Sequence, residues 1–220
     1  MIVVHHLDHS RSQRVLWLLE ELGLDYEIRR YARDPKTMLA PASLRAVHPL
    51  GKSPVIVDGD KTLAESGAIL EYLVDAYGAG RFAPPRGAPD HLRYAYFMHY
   101  AEGSLMPPLS MKLVFLRLPR AAPFLVRPIA GAIASKALAS YVDPQIERHL
   151  DFLEGELEHR PWFAGDEFSA ADIQMSFPLE AAASRAGLDA RRPRLWDFLQ
   201  RIRARPAYAR ALAKGGPTVL

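Results

Sequence analysis

Three short stretches of this 220-residue chain carry residue types that can hold and activate a small charged ligand. The first is Lys52-Ser53-Pro54, at the head of the apolar run Val55-Ile56-Val57. Proline brings no N–H and belongs at a strand start or an irregular position, so the peptide before it can face a ligand instead of a neighbouring strand. The second is Glu65-Ser66, where a short strand gives way to a helix. A helix start offers free N–H groups and a serine hydroxyl to a carboxylate, and a neighbouring glutamate can hold an ammonium. Together these two stretches suit an extended, zwitterionic peptide. The third is Ser10, in a loop just before a helix, with Arg11 and Ser12 beside it. There a hydroxyl donor and the positive end of a helix converge on one place, which favours an anion.

The elements that must position these residues are legible from periodicity. Ile2 to His6 reads as a short strand, and Val15, Leu18, Leu19 and Leu22 form an i, i+3, i+4, i+7 stripe that stops at Gly23. Tyr26, Ile28 and Arg30 alternate with Glu27, Arg29 and Tyr31 as a second strand, and Ser43 to Val47 reads as a short irregular helix. Pro54–Asp58 and Lys61–Ala64 form a hairpin through an Asp-Gly turn, and Ile69, Leu70, Leu73 and Tyr77 line the inner face of the next helix. The Gly/Pro-rich stretch from Gly78 to Pro89 reads as a linker. Beyond it no period-2 run occurs, whereas Val142, Ile146, Leu150, Leu153 and Leu157 form one helical face and Leu195, Phe198, Leu199 and Ile202 another. The fold class is therefore α/β followed by all-α: a βαβαββα unit over residues 1–80, a linker over 81–89 and a helical domain over 90–220. Ser169-Ala170-Ala171-Asp172 has the spacing of a capping box, so Asp172 serves folding and is not taken as catalytic.

Composition narrows the chemistry. There is no cysteine, which removes disulfides, Cys-ligated zinc and a protein thiol nucleophile. His5 and His6 alternate to opposite strand faces, so with His9 they make a poor metal set, and no metal is assigned. The net charge of +3 comes from scattered arginines without a nucleic-acid module. Phe124 to Ala139 is strongly apolar but contains Arg127, Pro128 and Lys136 and falls short of the roughly 20 residues of a membrane span, so it is read as a buried helix. Met1 to His6 lacks the basic and long apolar regions of a signal peptide, and a cytoplasmic location is expected.

The segments 7–23 (from Leu7 to Gly23), the two ligand stretches, 100–108 (from Tyr100 through Glu102 to Pro108) and 171–178 (from Ala171 to Pro178), in that order, resemble the glutathione transferase superfamily over nearly the whole chain. They are most similar to a subgroup typified by a fungal microsomal glutathione transferase and its bacterial relatives. The resemblance implies a thioredoxin-like first domain and a homodimer that binds glutathione and a small hydrophobic electrophile. It implies conjugation of the two, with some peroxidase activity. A non-catalytic glutathione-binding or regulatory protein on the same fold is the rival reading, since one scaffold hosts both.

By the same resemblance, Ser53 before a cis Pro54 pairs antiparallel with the cysteinyl part of glutathione, Glu65 and Ser66 grip its γ-glutamyl end, and Lys52 reaches its glycyl carboxylate. Gly67 stands where many relatives carry a charged or polar residue, so no third γ-glutamyl contact is implied. Ser10 is taken as the donor to the glutathione sulfur, because Ser12 stands closer to the helix, where capping explains it. Arg11 either adds positive charge beside the sulfur or points to solvent, and Glu102 touches glutathione, the dimer seam or neither. Tyr96, Met106, Met111 and Phe115 lie at helical spacing either as an electrophile pocket between the domains or as core.

Overall fold

β1 (Ile2–Leu7) carries the sheet in a computed structural model that describes residues 1–217. It runs parallel to β2 (Tyr26–Tyr31), with Ile2 opposite Tyr26 and Leu7 opposite Tyr31. On its other side it is antiparallel to β3 (Val55–Asp58), which pairs with β4 (Lys61–Ala64), giving the order β2-β1-β3-β4. A parallel pair needs a crossover, and α1 (Ser12–Leu22) supplies it. Leu16, Leu18 and Leu19 of α1 are fully buried, each worth about 1.5–3 kcal/mol against exposure. The helix stops where Gly23, at φ 72°, caps Leu19 O in the left-handed conformation that a side chain would strain. A 3₁₀ turn (Ala42–Ala46) precedes β3, and α2 (Ser66–Tyr77) follows β4. The β, α, β, short helix, β, β, α order is the expected thioredoxin-like one.

Among the described residues seven further α-helices follow: α3 (Pro89–Tyr100), α4 (Met106–Ala121), α5 (Arg127–Ala137), α6 (Asp143–Glu156), α7 (Ala170–Arg185), α8 (Pro193–Arg203) and α9 (Pro206–Gly215). A wider π-helical turn over Ala101–Leu105 joins α3 to α4. The buried stripes of α6 and α8 are the ones the sequence pattern marks, Ile146, Leu150 and Leu153 on one and Leu195, Phe198, Leu199 and Ile202 on the other. The α7 capping box is present: Asp172 accepts from Ser169 N at 2.8 Å, and from Phe163 N at 2.9 Å. Burial pushes the Asp172 carboxyl up to about 6, although the bonds from Phe163 and Ser169 oppose the shift.

α9 locks the helical region to the sheet unit. Trp17 of α1 packs edge-on against Tyr208 at 5.1 Å, and Glu20 pairs with Arg210 at 2.7 Å and Lys214 at 2.5 Å. At the end of α9, a Cβ on Gly215 would meet Gln13 Oε1 and Leu16 Cδ1, so any larger residue here would have to displace those two side-chain ends. The closeness matters because Gly215 O reaches His6.

The apolar stretch from Phe124 to Ala139 is not the buried helix that its composition suggests. Phe124, Leu125, Ile129 and Ile133 are exposed, and Ala134 is the buried residue of α5. The reason is a facing choice: α5 packs on α4, and its less exposed positions are the small Ala130, Gly131, Ala134 and Ala137. A close-packed small-residue face turns the larger side chains outward. Among the described residues no helix is long and apolar enough to cross a membrane.

Candidate active site

Ser53 is tied to β1 by its side chain, which leaves its main chain free. Its hydroxyl donates to His5 O at 2.8 Å and accepts from Leu7 N at 3.2 Å, whereas no backbone partner occurs for its own N–H or C=O among the described residues. The Ser53-Pro54 peptide is cis. An unpaired peptide beside a sheet is a place for an extended ligand strand to pair.

Across from it, α2 begins. Glu65, at φ 70° and ψ 120°, holds a backbone conformation that non-glycine residues rarely adopt, and such outliers cluster at ligand sites. Glu65 is exposed, and Ser66, the first residue of α2, is buried. No side chain caps this helix start, so its first N–H groups stay available. Lys52, Ser53, Pro54, Glu65, Ser66 and Glu102 share the lining of one cavity of about 240 Å³, to which Arg11, His48 and Leu50 also contribute. A cavity of about 780 Å³ lies elsewhere, between the 80–88 segment and the 164–169 loop, and none of the sequence-derived site residues lines it. Charge and free main-chain groups, not volume, mark the candidate site.

Behind Ser66 stands Arg14, which sequence reasoning missed. Its guanidinium is 1 % exposed and donates to Gln174 O at 2.7 Å, Ser66 Oγ at 2.8 Å and Glu102 Oε1 at 2.6 Å. A signal existed: Arg14 is four residues before Leu18, so a charge interrupts the apolar stripe of α1. Arg11 completes the cluster through Nε, 2.9 Å from both Glu102 oxygens, with its guanidinium 5.3 Å from the Phe177 ring centroid. It is thus tied down, not directed to solvent. Burial works against the Glu102 charge, but Arg14 and Arg11 outweigh it and hold the carboxyl below the usual range. Burial likewise lowers Arg14, with Glu102 opposing.

Ser10 is 6 % exposed and sits at the end of a buried chain. Its Oγ accepts from Ser12 N at 3.2 Å and lies 2.7 Å from Ser12 Oγ, which lies 2.8 Å from His6 Nδ1, and His6 Nε2 lies 2.8 Å from Gly215 O. The donor directions follow from that carbonyl. Gly215 O can only accept, so His6 Nε2 carries a proton. Burial lowers the His6 pKa first of all, favouring the neutral ring, so Nδ1 accepts from Ser12. Ser12 has one proton to give, so Ser10 donates to Ser12 Oγ. The Ser10 proton therefore points inward, while the Ser66 proton, with Arg14 donating to its oxygen, is free for a ligand.

Two sequence expectations change here. Ser12 does not cap α1: it makes no cap bond and hands its hydroxyl to His6, while Ser10 takes the Ser12 N–H. Tyr96 is no part of the Ser10 surroundings, because it stacks on Tyr100 at 5.5 Å and lines a separate hollow with His149 and Phe152. Met106 is buried core, and Met111 and Phe115 are half-buried against it. His5 and His6 do part company, to Tyr31 and to Ser12 and Gly215 respectively. Among the described residues, no group of three or more His, Asp or Glu is placed to hold a metal ion.

Comparison with known proteins agrees with this layout. Residues 1–75 match the glutathione S-transferase N-terminal domain and residues 105–206 the glutathione S-transferase C-terminal domain. The chain is 38% identical to glutathione S-transferase 3 of Schizosaccharomyces pombe over 83% of its own length and 74% of the relative. It is 35% identical to glutathione S-transferase 1 of Saccharomyces cerevisiae over 97% and 95%. A solved sphingomonad glutathione S-transferase complexed with glutathione is similar with a TM-score of 0.74 and 27% identity, covering 97% of this chain and 98% of that one. With a matching model at each end and relatives above 30% identity along its length, the chain belongs to the glutathione S-transferase family.

Proposed function

We propose that this protein conjugates the thiolate of glutathione to small hydrophobic electrophiles, with glutathione peroxidase activity as a side reaction of the same thiolate. The observation that carries the reading is the unpaired Ser53 main chain facing, across one cavity, a helix start whose Ser66 hydroxyl is free to donate. Glutathione lies extended there. Its cysteinyl N–H and C=O pair with Ser53, its γ-glutamyl carboxylate meets Ser66 and the α2 N–H groups, its ammonium meets Glu65, and its glycyl carboxylate meets Lys52. This pose brings the sulfur to the Ser10 loop. A free thiol has a pKa of about 8.5 and reacts as its thiolate, so a hydroxyl donor and the α1 N-terminus need move it only toward neutrality. Ser10 supplies that bond by turning its hydrogen from Ser12 to the sulfur. Arg11, fixed by Glu102, adds positive potential beside it.

The domain boundaries at 80 and 90, the cytoplasmic location and membership of the subgroup typified by a fungal microsomal enzyme are proposed from the sequence alone. A homodimer is inferred too, with Leu92 and Tyr96, exposed one turn apart on α3, as apolar surface for it.

The test is retention on immobilised glutathione followed by conjugation of 1-chloro-2,4-dinitrobenzene. Retention and turnover are expected. Retention without turnover on several electrophiles would leave the binding protein as the better description, and no retention would remove both readings.

A further inference from the structure

A second positively charged feature abuts Ser10 from outside the glutathione cavity. Arg33, just after β2, donates to Asp8 O at 3.0 Å, His9 O at 3.2 Å and Met38 O at 3.0 Å, so its guanidinium is fixed against the loop that leads to Ser10. Arg11 follows Ser10 directly and lies over Phe177 of α7. Along α7, Gln174, Phe177 and Arg185 fall on one face at i, i+3 and i+11. The first two of these touch Arg14 and Arg11, so Arg185 continues the same wall. Its Nε is buried with no hydrogen-bond partner. Opposite, α4 packs on α7 and brings Arg117, which is exposed.

Of these four arginines, only Arg11 is paired with a carboxylate among the described residues. Arg33 bonds only to carbonyls, and Arg117 and Arg185 make no ion pair among the described residues. Glu102 is already taken by Arg11 and Arg14. Burial, and next the positive charge of Arg117, lower both Arg33 and Arg185; the Asp8 carboxylate opposes the shift of Arg33, and Arg11 adds to both. Like charges gathered at half-buried positions oppose folding unless an anion joins them. Of the four, only Arg11 also lines the glutathione cavity.

We propose that Arg33, Arg117 and Arg185 form a carboxylate site for the electrophilic co-substrate, so that this enzyme prefers electrophiles with an anionic end. Guanidinium forks suit a planar carboxylate, and the half-buried Phe115 of α4 offers apolar surface for the rest of the molecule. The inference rests on the conjugation reading and deepens it.

The test compares two matched electrophiles, 4-chloro-3,5-dinitrobenzoate and its neutral carboxamide. In both, the glutathione sulfur forms a bond to the chlorine-bearing ring carbon, chloride leaves with the bonding electron pair, and the thiol proton passes to solvent. The expected result is a kcat/KM about tenfold higher for the benzoate, the size of one charged hydrogen bond. Arg117→Gln and Arg185→Gln should each remove most of that preference through KM, leaving the carboxamide and glutathione values unchanged. A second arm needs no turnover: calorimetric binding of 3,5-dinitrobenzoate against 3,5-dinitrobenzamide, with the same loss in the variants and in high salt. Selective benzoate binding without conjugation of either electrophile would remove the conjugation reading and keep the anion site. Equal binding of the two, or a preference that survives both substitutions, or variants that weaken glutathione instead, would overturn it.

Discussion

A buried serine stands at the start of α2 and another just before α1; Ser66 lines the candidate cavity and Ser10 does not, and the two hydroxyls are set in opposite directions. Behind Ser66 stands a charged donor, Arg14, so the Ser66 proton is released outward. Behind Ser10 stands a neutral acceptor, His6, acting through Ser12, so the Ser10 proton is drawn inward. The residue type is the same, although Ser66 opens α2 and Ser10 lies two residues ahead of α1, and the group one step deeper decides which serine is ready to donate. The α2 end is preset for a carboxylate. The α1 end must exchange one hydrogen bond for another when a sulfur arrives.

The strongest way to break the comparison is Arg14→Ala. It leaves Ser66, Gln174 O and half of the Glu102 pairing without their buried cation, and breaking such a buried pair costs about 3–5 kcal/mol. A denaturant titration should show that loss, and glutathione affinity should fall in whatever remains folded. Arg14→Lys, which keeps the charge and loses the fork, should recover stability in part and affinity less. Ser66→Ala is the sharper version. The fold should be nearly unchanged, because Arg14 keeps Glu102 and Gln174 O. Glutathione affinity should fall by about 1.5–3 kcal/mol, roughly tenfold to a hundredfold, by calorimetry. Unchanged affinity in a well-folded Ser66→Ala would refute the outward donor.

At the other start the effects are smaller and appear in stability. Ser12→Ala orphans the buried His6 Nδ1 and should cost about 1–3 kcal/mol. If Ser12 were only a surface cap, the variant would lose little and its pH dependence would be that of the parent. His6 itself gives a pH signature. Its folded pKa lies below the unfolded 6.5, so its contribution is present above about pH 6.5 and is lost as pH falls through the folded value. His5 and His149 are lowered too, first by burial, and act with the same sign. Asp172, held up at about 6, acts with the opposite sign as pH falls through that value. The measurement is therefore the difference between parent and His6→Asn in thermal melts from pH 8 to 5: the variant should lack the part of the pH-dependent loss that His6 contributes.

How much of this was legible in the sequence varies by residue for physical reasons. The helix stripe ending at Gly23, the hairpin and the Ser169–Asp172 box are local patterns, and they stand where periodicity and cap spacing put them. Ser53, Glu65, Ser66 and Lys52 were legible as a set because a proline-headed strand and a helix start are local signals too, and the fold brings them to one cavity. The Arg14–Glu102 pair and the His6–Ser12 bond were not. Arg14 and Glu102 lie 88 positions apart, and the donor direction along the serine chain depends on Gly215, 209 positions from His6. The exposure of Phe124, Leu125 and Ile129 was also hidden, because an apolar count does not say which helix face is small enough to pack.

The central claim, that Ser10 turns to hold the glutathione thiolate, is tested most directly by titrating the ultraviolet absorbance of bound thiolate from pH 5 to 9 in the parent, Ser10→Ala and Ser12→Ala. The account predicts that Ser10→Ala raises the pKa of bound glutathione toward the free value of about 8.5 while glutathione affinity stays comparatively intact. It predicts that Ser12→Ala, with Ser10 freed from its inward partner, keeps a depressed thiol pKa. A Ser12→Ala protein that loses the thiolate signal while Ser10→Ala retains it would contradict the assignment and move the donor two residues along the chain.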